Sequence, residues 1–235
     1  MSYELAFDVY GTLIDTQGVV DVLTTMVGPV SQQFSAAWRA KQLEYTFRRG
    51  LMRRYVPFDT CTAQALRVTA QSLGVTLSAE AEDRLLLSYQ RLPPFPDAAP
   101  ALNALAAHGH RCHAFSNGSA AGVSTLLRQA GLGTHFVRIL SVEDVRSFKP
   151  DPAVYEHLVH SLRTPRARIV MISSNAFDVL GARAAGLASI WVKRSEAAVM
   201  DPWEFEPSAT LTSLGELPTL LASLGRETGP ASGRR

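Results

Sequence analysis

The feature that most restricts how this chain can fold is a repeated alternation of short apolar or β-branched runs with turns and helical patterns. Leu5 to Tyr10 opens the series and breaks at Gly11-Thr12. Arg111 to Phe115 runs into Ser-Asn-Gly-Ser, and Val137 to Leu140, Ile169 to Ile172 and Ser189 to Val192 repeat the theme. Helical patterns such as Val123 to Ala130 and Val179 to Ala185 separate them. Parallel strands need a crossover between them, and helices are the usual crossover, so the predicted fold is α/β with a parallel sheet covered on both faces.

One long stretch breaks the alternation. From Gly18 to Arg91 the pattern is helical throughout, with predicted helices over Ser35–Leu51, Thr62–Leu73 and Ser78–Leu92. Phe34, Trp38, Tyr45 and Met52 recur at spacings of four or seven, as one face of a helix requires, and Pro93-Pro94-Phe95-Pro96 closes the stretch. The expected organisation is a core of residues 1–16 and 94–225, an inserted helical cap of residues 17–93, and a tail of residues 226–235. A cap inserted after the first strand would sit over the carboxyl ends of the strands, where open α/β sheets bind ligands.

Composition excludes several function classes. The 235 residues are 46% hydrophobic and carry a formal charge of +2, with no apolar run of about 18 residues and no basic segment leading into an apolar one at Met1-Ser-Tyr-Glu. A membrane span and secretion are therefore not expected. Only Lys41, Lys149 and Lys193 among the 23 cationic side chains are lysines, and the arginines form short pairs such as Arg48-Arg49 and Arg53-Arg54 rather than a basic stripe, so no nucleic-acid partner is expected. Cys61 and Cys112 match no metal-ligand spacing, which fits a reducing cytoplasm.

Asp8 follows three apolar residues and precedes a turn, which places it at the carboxyl end of a buried strand. A carboxylate there is costly unless hydrogen-bonded or paired, and that cost marks it as a functional candidate. Thr12 can donate to one of its oxygens, or can equally cap a helix.

Together, the motifs carry a resemblance. Phe-Asp8-Val-Tyr-Gly-Thr12-Leu, Ala-Phe-Ser116-Asn117-Gly-Ser, Phe-Lys149-Pro-Asp-Pro and Ser173-Ser-Asn175-Ala-Phe-Asp178 follow one another in the order of the four motifs of the haloacid dehalogenase superfamily. The implied fold is the Rossmann-like core of that superfamily with an inserted cap. From Tyr3 to about Leu224 the chain is similar to the L-2-haloacid dehalogenases, including the cap segment Trp38-Arg39-Ala-Lys-Gln-Leu-Glu-Tyr45 and the stretch Lys149-Pro-Asp-Pro-x-Val-Tyr155. Tyr10 stands where the superfamily's magnesium phosphatases have a second aspartate, so no metal and no other cofactor are expected. A magnesium phosphatase of a small phosphate ester is the alternative, and a noncatalytic carboxylate-binding protein a further one.

What the resemblance implies is a two-step displacement. Asp8 attacks the carbon bearing the halogen, and water then hydrolyses the aspartyl ester to give a D-2-hydroxy acid. Lys149 is the implied partner of Asp8, since an adjacent cation keeps a carboxylate ionised. The substrate carboxylate is expected on the backbone N–H groups near Val9 and Tyr10 and on the Ser116 hydroxyl. Halide is expected in a pocket of Arg39, Asn117 and Phe177 with Tyr10, Leu43 and Phe58 as apolar walls. Asp178, with Ser173 and Asn175, either handles the hydrolytic water or serves mainly to hold Lys149, and Tyr155 is either catalytic or structural. Ala40 follows Arg39 where relatives often carry a glutamine, which points to an altered substrate range. Family members are commonly homodimers, so a homodimer is expected; the apolar face of the cap helix at Phe47 and Leu51 suits either that contact or packing on the core.

Overall fold

The structure, a computed structural model, describes residues 2–227. Six strands form its sheet: β1 (Glu4–Phe7), β2 (Arg111–Ser116), β3 (Arg138–Ser141), β4 (Ile169–Ser173), β5 (Ala188–Val192) and β6 (Ala209–Leu211). Their order is β3-β2-β1-β4-β5-β6 and every pairing is parallel. Leu5, Ala6 and Phe7 are fully buried, as are Ile169, Met171 and Ile172. Such runs are apolar on both faces because helices cover both sides of the sheet. The covering helices are α5 (Ala98–Ala107), α6 (Ala120–Gln129), α7 (Pro152–Leu162), α8 (Ala176–Ala184) and α9 (Leu217–Glu227).

The insertion is helical, as the periodicity predicts. It comprises α1 (Val20–Val27), α2 (Ser31–Leu51), α3 (Phe58–Ser72) and α4 (Ala79–Tyr89), which pack mainly on one another. The indole N–H of Trp38 donates to the Thr62 carbonyl at 2.9 Å and ties α2 to α3. The outgoing and returning chains are stitched together: Asp15 N–H donates to Pro93 O at 2.8 Å and Phe95 N–H to Leu13 O at 2.9 Å. At Gly18 an added Cβ would lie 2.3 Å from Pro93 Cδ, so only glycine lets the two connections pass this closely.

Some boundaries differ from the sequence reading. β1 stops at Phe7 rather than Tyr10, because the Val9 carbonyl accepts from Thr12, Leu13 and Ile14 and turns the chain away from the sheet. α1 falls inside the stretch from Gly18 to Arg91 read as helical, where periodicity delimits no separate helix before Ser35, and the three-residue β6 is too short to show a repeat. Arg226 and Glu227 of the expected tail still belong to α9, and residues 228–235 lie outside the described residues. Cys61 and Cys112 are both buried free thiols, one on α3 and one on β2. Among the described residues no helix is long and apolar enough to cross a membrane.

Candidate active site

Sheet order reverses at β1, whose neighbours β2 and β4 carry the chain off in opposite directions, and the carboxyl ends of these strands form the crevice such sheets use for ligands. Asp8 stands one residue beyond β1 and is 7% exposed. Its N–H still donates to Ile172 O of β4 at 2.9 Å, which fixes the backbone beneath the side chain. Gly11 then takes φ +87°, a left-handed turn favourable only to glycine, and brings Thr12 back toward Asp8.

The two oxygens of Asp8 have different partners. Oδ2 accepts from Thr12 Oγ1 at 3.0 Å and from Asn175 Nδ2 at 2.7 Å. Oδ1 accepts from Lys149 Nζ at 3.1 Å. The direction of the threonine proton follows from its other contacts. Ser174 N–H donates to Thr12 Oγ1 at 2.9 Å, which leaves the threonine hydrogen two acceptors, Asp8 Oδ2 at 3.0 Å and Ser174 Oγ at 3.3 Å, and the nearer carboxylate oxygen takes it. Of the two roles open to Thr12, bonding to the carboxylate is the one it takes.

Lys149 is 1% exposed, and its ammonium spends all three donors on Asp8 Oδ1, Asp178 Oδ2 at 2.9 Å and Phe115 O at 2.8 Å. Asp178 lies in the first turn of α8, where the helix dipole favours a negative charge, and is fully buried. Burial raises its pKa to about 6 against the pull of Lys149, and the Tyr155 hydroxyl donates to its Oδ1 at 2.9 Å. Tyr155 is itself buried, and that burial together with Asp178 holds its hydroxyl protonated far above neutrality. Ser173 is fully buried and accepts the Asn175 N–H at 3.1 Å, which shapes the turn between β4 and α8. Asn175 itself lies on the nucleophile, through its Nδ2.

Arg39 reaches the site from α2. Its Nη2 donates to Tyr10 O at 3.3 Å, a carbonyl that also receives Asn175 Nδ2 at 3.1 Å. Its Nη1 donates to Gln42 Oε1 at 2.6 Å. Gln42 is completely buried, and its Oε1 also accepts from Tyr89 OH at 3.0 Å while its Nε2 donates to Thr62 Oγ1. Although Ala40 follows Arg39, an amide thus meets the guanidinium from Gln42, three residues on. Only two guanidinium donors are spent in this way, leaving others for an anion.

The expected halide pocket is only partly assembled by these contacts. The Tyr10 ring packs on Phe58 with centroids 5.4 Å apart and on Tyr89 at 5.9 Å, and the same residue's carbonyl accepts from Arg39. Leu43 is half-buried on α2, one turn beyond Arg39. The Asn117 carbonyl oxygen accepts the Lys149 N–H at 3.0 Å, so the side chain can offer the site only its NH2. Phe177 packs edge-on against Phe47 of α2 at 5.0 Å, in a cleft at the flank of the cap. Ser116, fully buried at the end of β2, accepts from Gly118 N–H at 3.1 Å and keeps its hydroxyl hydrogen for another acceptor. The N–H groups of Val9 and Tyr10 have no acceptor among the described residues.

Three contributors escape a reading of the motifs. Gln42 and Ser174 lie beside motif residues, so proximity is a usable signal for both. Arg194 has no such signal. From beyond β5 its Nη2 donates to Thr12 O at 2.6 Å and its Nη1 to Asp97 Oδ2 at 2.7 Å, with the guanidinium stacked 4.0 Å over the Phe95 ring. It clamps the turn that carries Thr12.

Comparison with known proteins places the chain in a family. A family model described as haloacid dehalogenase-like hydrolase matches residues 5–186. The chain is 39% identical to the (S)-2-haloacid dehalogenase of Pseudomonas sp. strain YL over 89% of its own length and 90% of that protein's. It is 36% identical to the (S)-2-haloacid dehalogenase of Pseudomonas fluorescens, covering 92% and 95%. Among solved structures, L-2-haloacid dehalogenase from Xanthobacter autotrophicus with chloropropionic acid covalently bound superposes with a TM-score of 0.89 at 31% identity, covering 98% of this chain and all of that one. Matched from the first strand to the last motif, the chain belongs to the haloacid dehalogenase-like hydrolases and groups within them with the L-2-haloacid dehalogenases.

Proposed function

We propose that this protein is a hydrolase of carbon-halide bonds that converts short L-2-haloalkanoates to D-2-hydroxy acids and halide through an ester on Asp8, without a metal. The observation that carries the reading is the pairing of Asp8 with Lys149. Three donors converge on the carboxylate, and Oδ1, with a single donor, retains the lone pairs for attack. In the first step a bond forms between Oδ1 and C2 as the carbon-halogen pair leaves with the halide, inverting C2. The substrate carboxylate takes the N–H groups of Val9 and Tyr10 and the hydroxyl of Ser116, which sets C2 in line with Oδ1. Arg39, with donors to spare, receives the halide above Tyr10 and Phe58, where few donors and positive ring edges suit a weakly hydrated anion.

In the second step water adds to the ester carbonyl carbon of Asp8, the bond from that carbon to the hydroxy-acid oxygen breaks, and a proton is released to solvent. Thr12 and Asn175, which donate to Oδ2, stabilise the oxyanion formed there, while Lys149 faces Oδ1, the oxygen that departs with the hydroxy acid. Asp178 has both oxygens engaged, by Lys149 and Tyr155, and so acts chiefly by holding the ammonium in place. Metal independence is supported by that ammonium, which lies between the two carboxylates a divalent ion would need, and by Tyr10, an aromatic in place of a second acid. Incubation with L-2-chloropropionate and a chelator should yield equimolar chloride and D-lactate; release of neither, or release only with added magnesium, counts against the reading.

A further inference from the structure

Beside the reaction centre an apolar cleft of about 420 Å³ opens between the end of α2 and the loops that follow β3, β4 and β5. That size lies within the range of small-molecule sites, roughly 300–1,000 Å³. Its walls are Phe47, Gly50 and Leu51 of the cap helix, and Pro150, Phe177 and Trp203 of the core. At the rim, Leu51 is 87% exposed and Trp203 62% exposed, large apolar surfaces of the kind that mark ligand grooves.

The hydroxyl and charged residues that line the cleft have their polar atoms bonded elsewhere. The Thr46 hydroxyl donates to Leu43 O at 2.7 Å. The Asp151 carboxylate accepts from Ala153 N–H at 2.9 Å and from Ser147 Oγ at 2.5 Å. Lys149 lines the cleft but directs its ammonium to Asp8, Asp178 and the Phe115 carbonyl. The cleft therefore adjoins the nucleophile's own partner and, the Trp203 indole N–H at its rim aside, offers an occupant mainly apolar contact.

Resting on the dehalogenase reading above, we propose that this cleft is a subsite for the alkyl tail of 2-haloacids longer than the two- and three-carbon substrates, entered past Lys149 and Phe177. It takes a linear hydrocarbon tail and rejects a tail ending in a second carboxylate, which would lose its water and find no free cation. Gly50 provides the means to close it. An added Cβ there meets only Ser147 Oγ, at 3.6 Å, so a larger side chain fits the helix and projects into the space.

The test is a chain-length series of L-2-chloro acids from propionate to octanoate, read as kcat/KM by chloride release. For the wild type, each buried methylene should raise kcat/KM about fourfold until the cleft is filled. 2-Chloroadipate should fall at least tenfold below 2-chlorohexanoate. Gly50→Leu should flatten the series while turning over chloropropionate within twofold of wild type, and Trp203→Ala, which removes the outer wall, should lower the slope without closing the cleft. A flat wild-type series with normal chloropropionate turnover overturns the subsite and leaves the dehalogenase reading intact; no chloride from any substrate overturns that reading itself. A Gly50→Leu variant that keeps the wild-type slope and changes oligomeric mass overturns the subsite too, assigning the cleft to contact between copies of the chain.

Discussion

Strand β1 carries a buried carboxylate at each end, and the two are held in opposite ways. At its amino end Glu4, 9% exposed, accepts from Arg111 at 3.0 Å and meets His113 Nε2 at 2.5 Å, both partners coming from the neighbouring β2. Burial lowers the pKa of His113, and its Nδ1 has no partner among the described residues. At the carboxyl end Asp8 is bound by Thr12, Lys149 and Asn175, which come from three separate loops, with Arg39 of the cap above. Ion pairing and burial are common to both ends. Only the carboxyl end gathers loops, a cap and unspent donors, because in a parallel sheet that is where every connection to a following helix begins.

Substitutions at the two ends separate these roles. Asp8→Asn should lower haloacid turnover by at least about 10⁴-fold, since the amide cannot form the ester, while the trapped ester should appear as a mass increase on the Asp8 peptide of the wild type alone. Turnover within tenfold of wild type would remove Asp8 as nucleophile. Lys149→Met leaves Asp8 and Asp178 buried without their cation and should cost about 3–5 kcal/mol of stability by denaturant unfolding as well as activity. An unchanged unfolding midpoint would show the pair to be worth little to the fold.

Arg194 acts at one remove, through Thr12. Arg194→Met frees the Thr12 carbonyl and should lower kcat about ten- to a hundredfold with KM nearly unchanged, with added guanidinium restoring part of it. A rise in KM alone would place Arg194 in substrate binding instead. Tyr155→Phe tests Asp178 by pH. The tyrosine hydrogen bond lowers the Asp178 pKa from where burial would otherwise put it, so in the wild type activity should fall as pH drops through about 6, where Asp178 protonates and releases Lys149. Without the hydroxyl that acid limb should move to higher pH; a limb that stays put would exclude Asp178 as its source. Glu4→Gln should be the mildest in function, leaving kcat within twofold while costing about 1–3 kcal/mol of stability through the His113 and Arg111 contacts. A large loss of kcat would mean that the amino end communicates with the site after all.

The order of elements and the four strand-end motifs were legible because both are local: periodicity reports which face of a helix or strand is buried, and a polar residue at the end of an apolar run reports itself by its cost. Asp8 stands out on those grounds, while Ser116, Lys149 and Asp178 are singled out by the order of the motifs and their resemblance to the family. Arg39 does not, being one arginine among many on a helix, and only the cap segment's resemblance singled it out.

What the sequence by itself determined is the α/β class, the place of the helical insertion and the residues that meet at the strand ends. Tertiary structure alone decided that Gln42 rather than a neighbour of Arg39 holds the guanidinium, that Arg194 grips Thr12 from 182 residues away, that the Thr12 proton points to Asp8, and that Phe177 packs against Phe47 at the cleft. Each of these is a contact between side chains that share no period and no motif. Nothing in the spacing along the chain carries such a pairing, which exists only once the sheet has brought the loops together and the cap has settled over them.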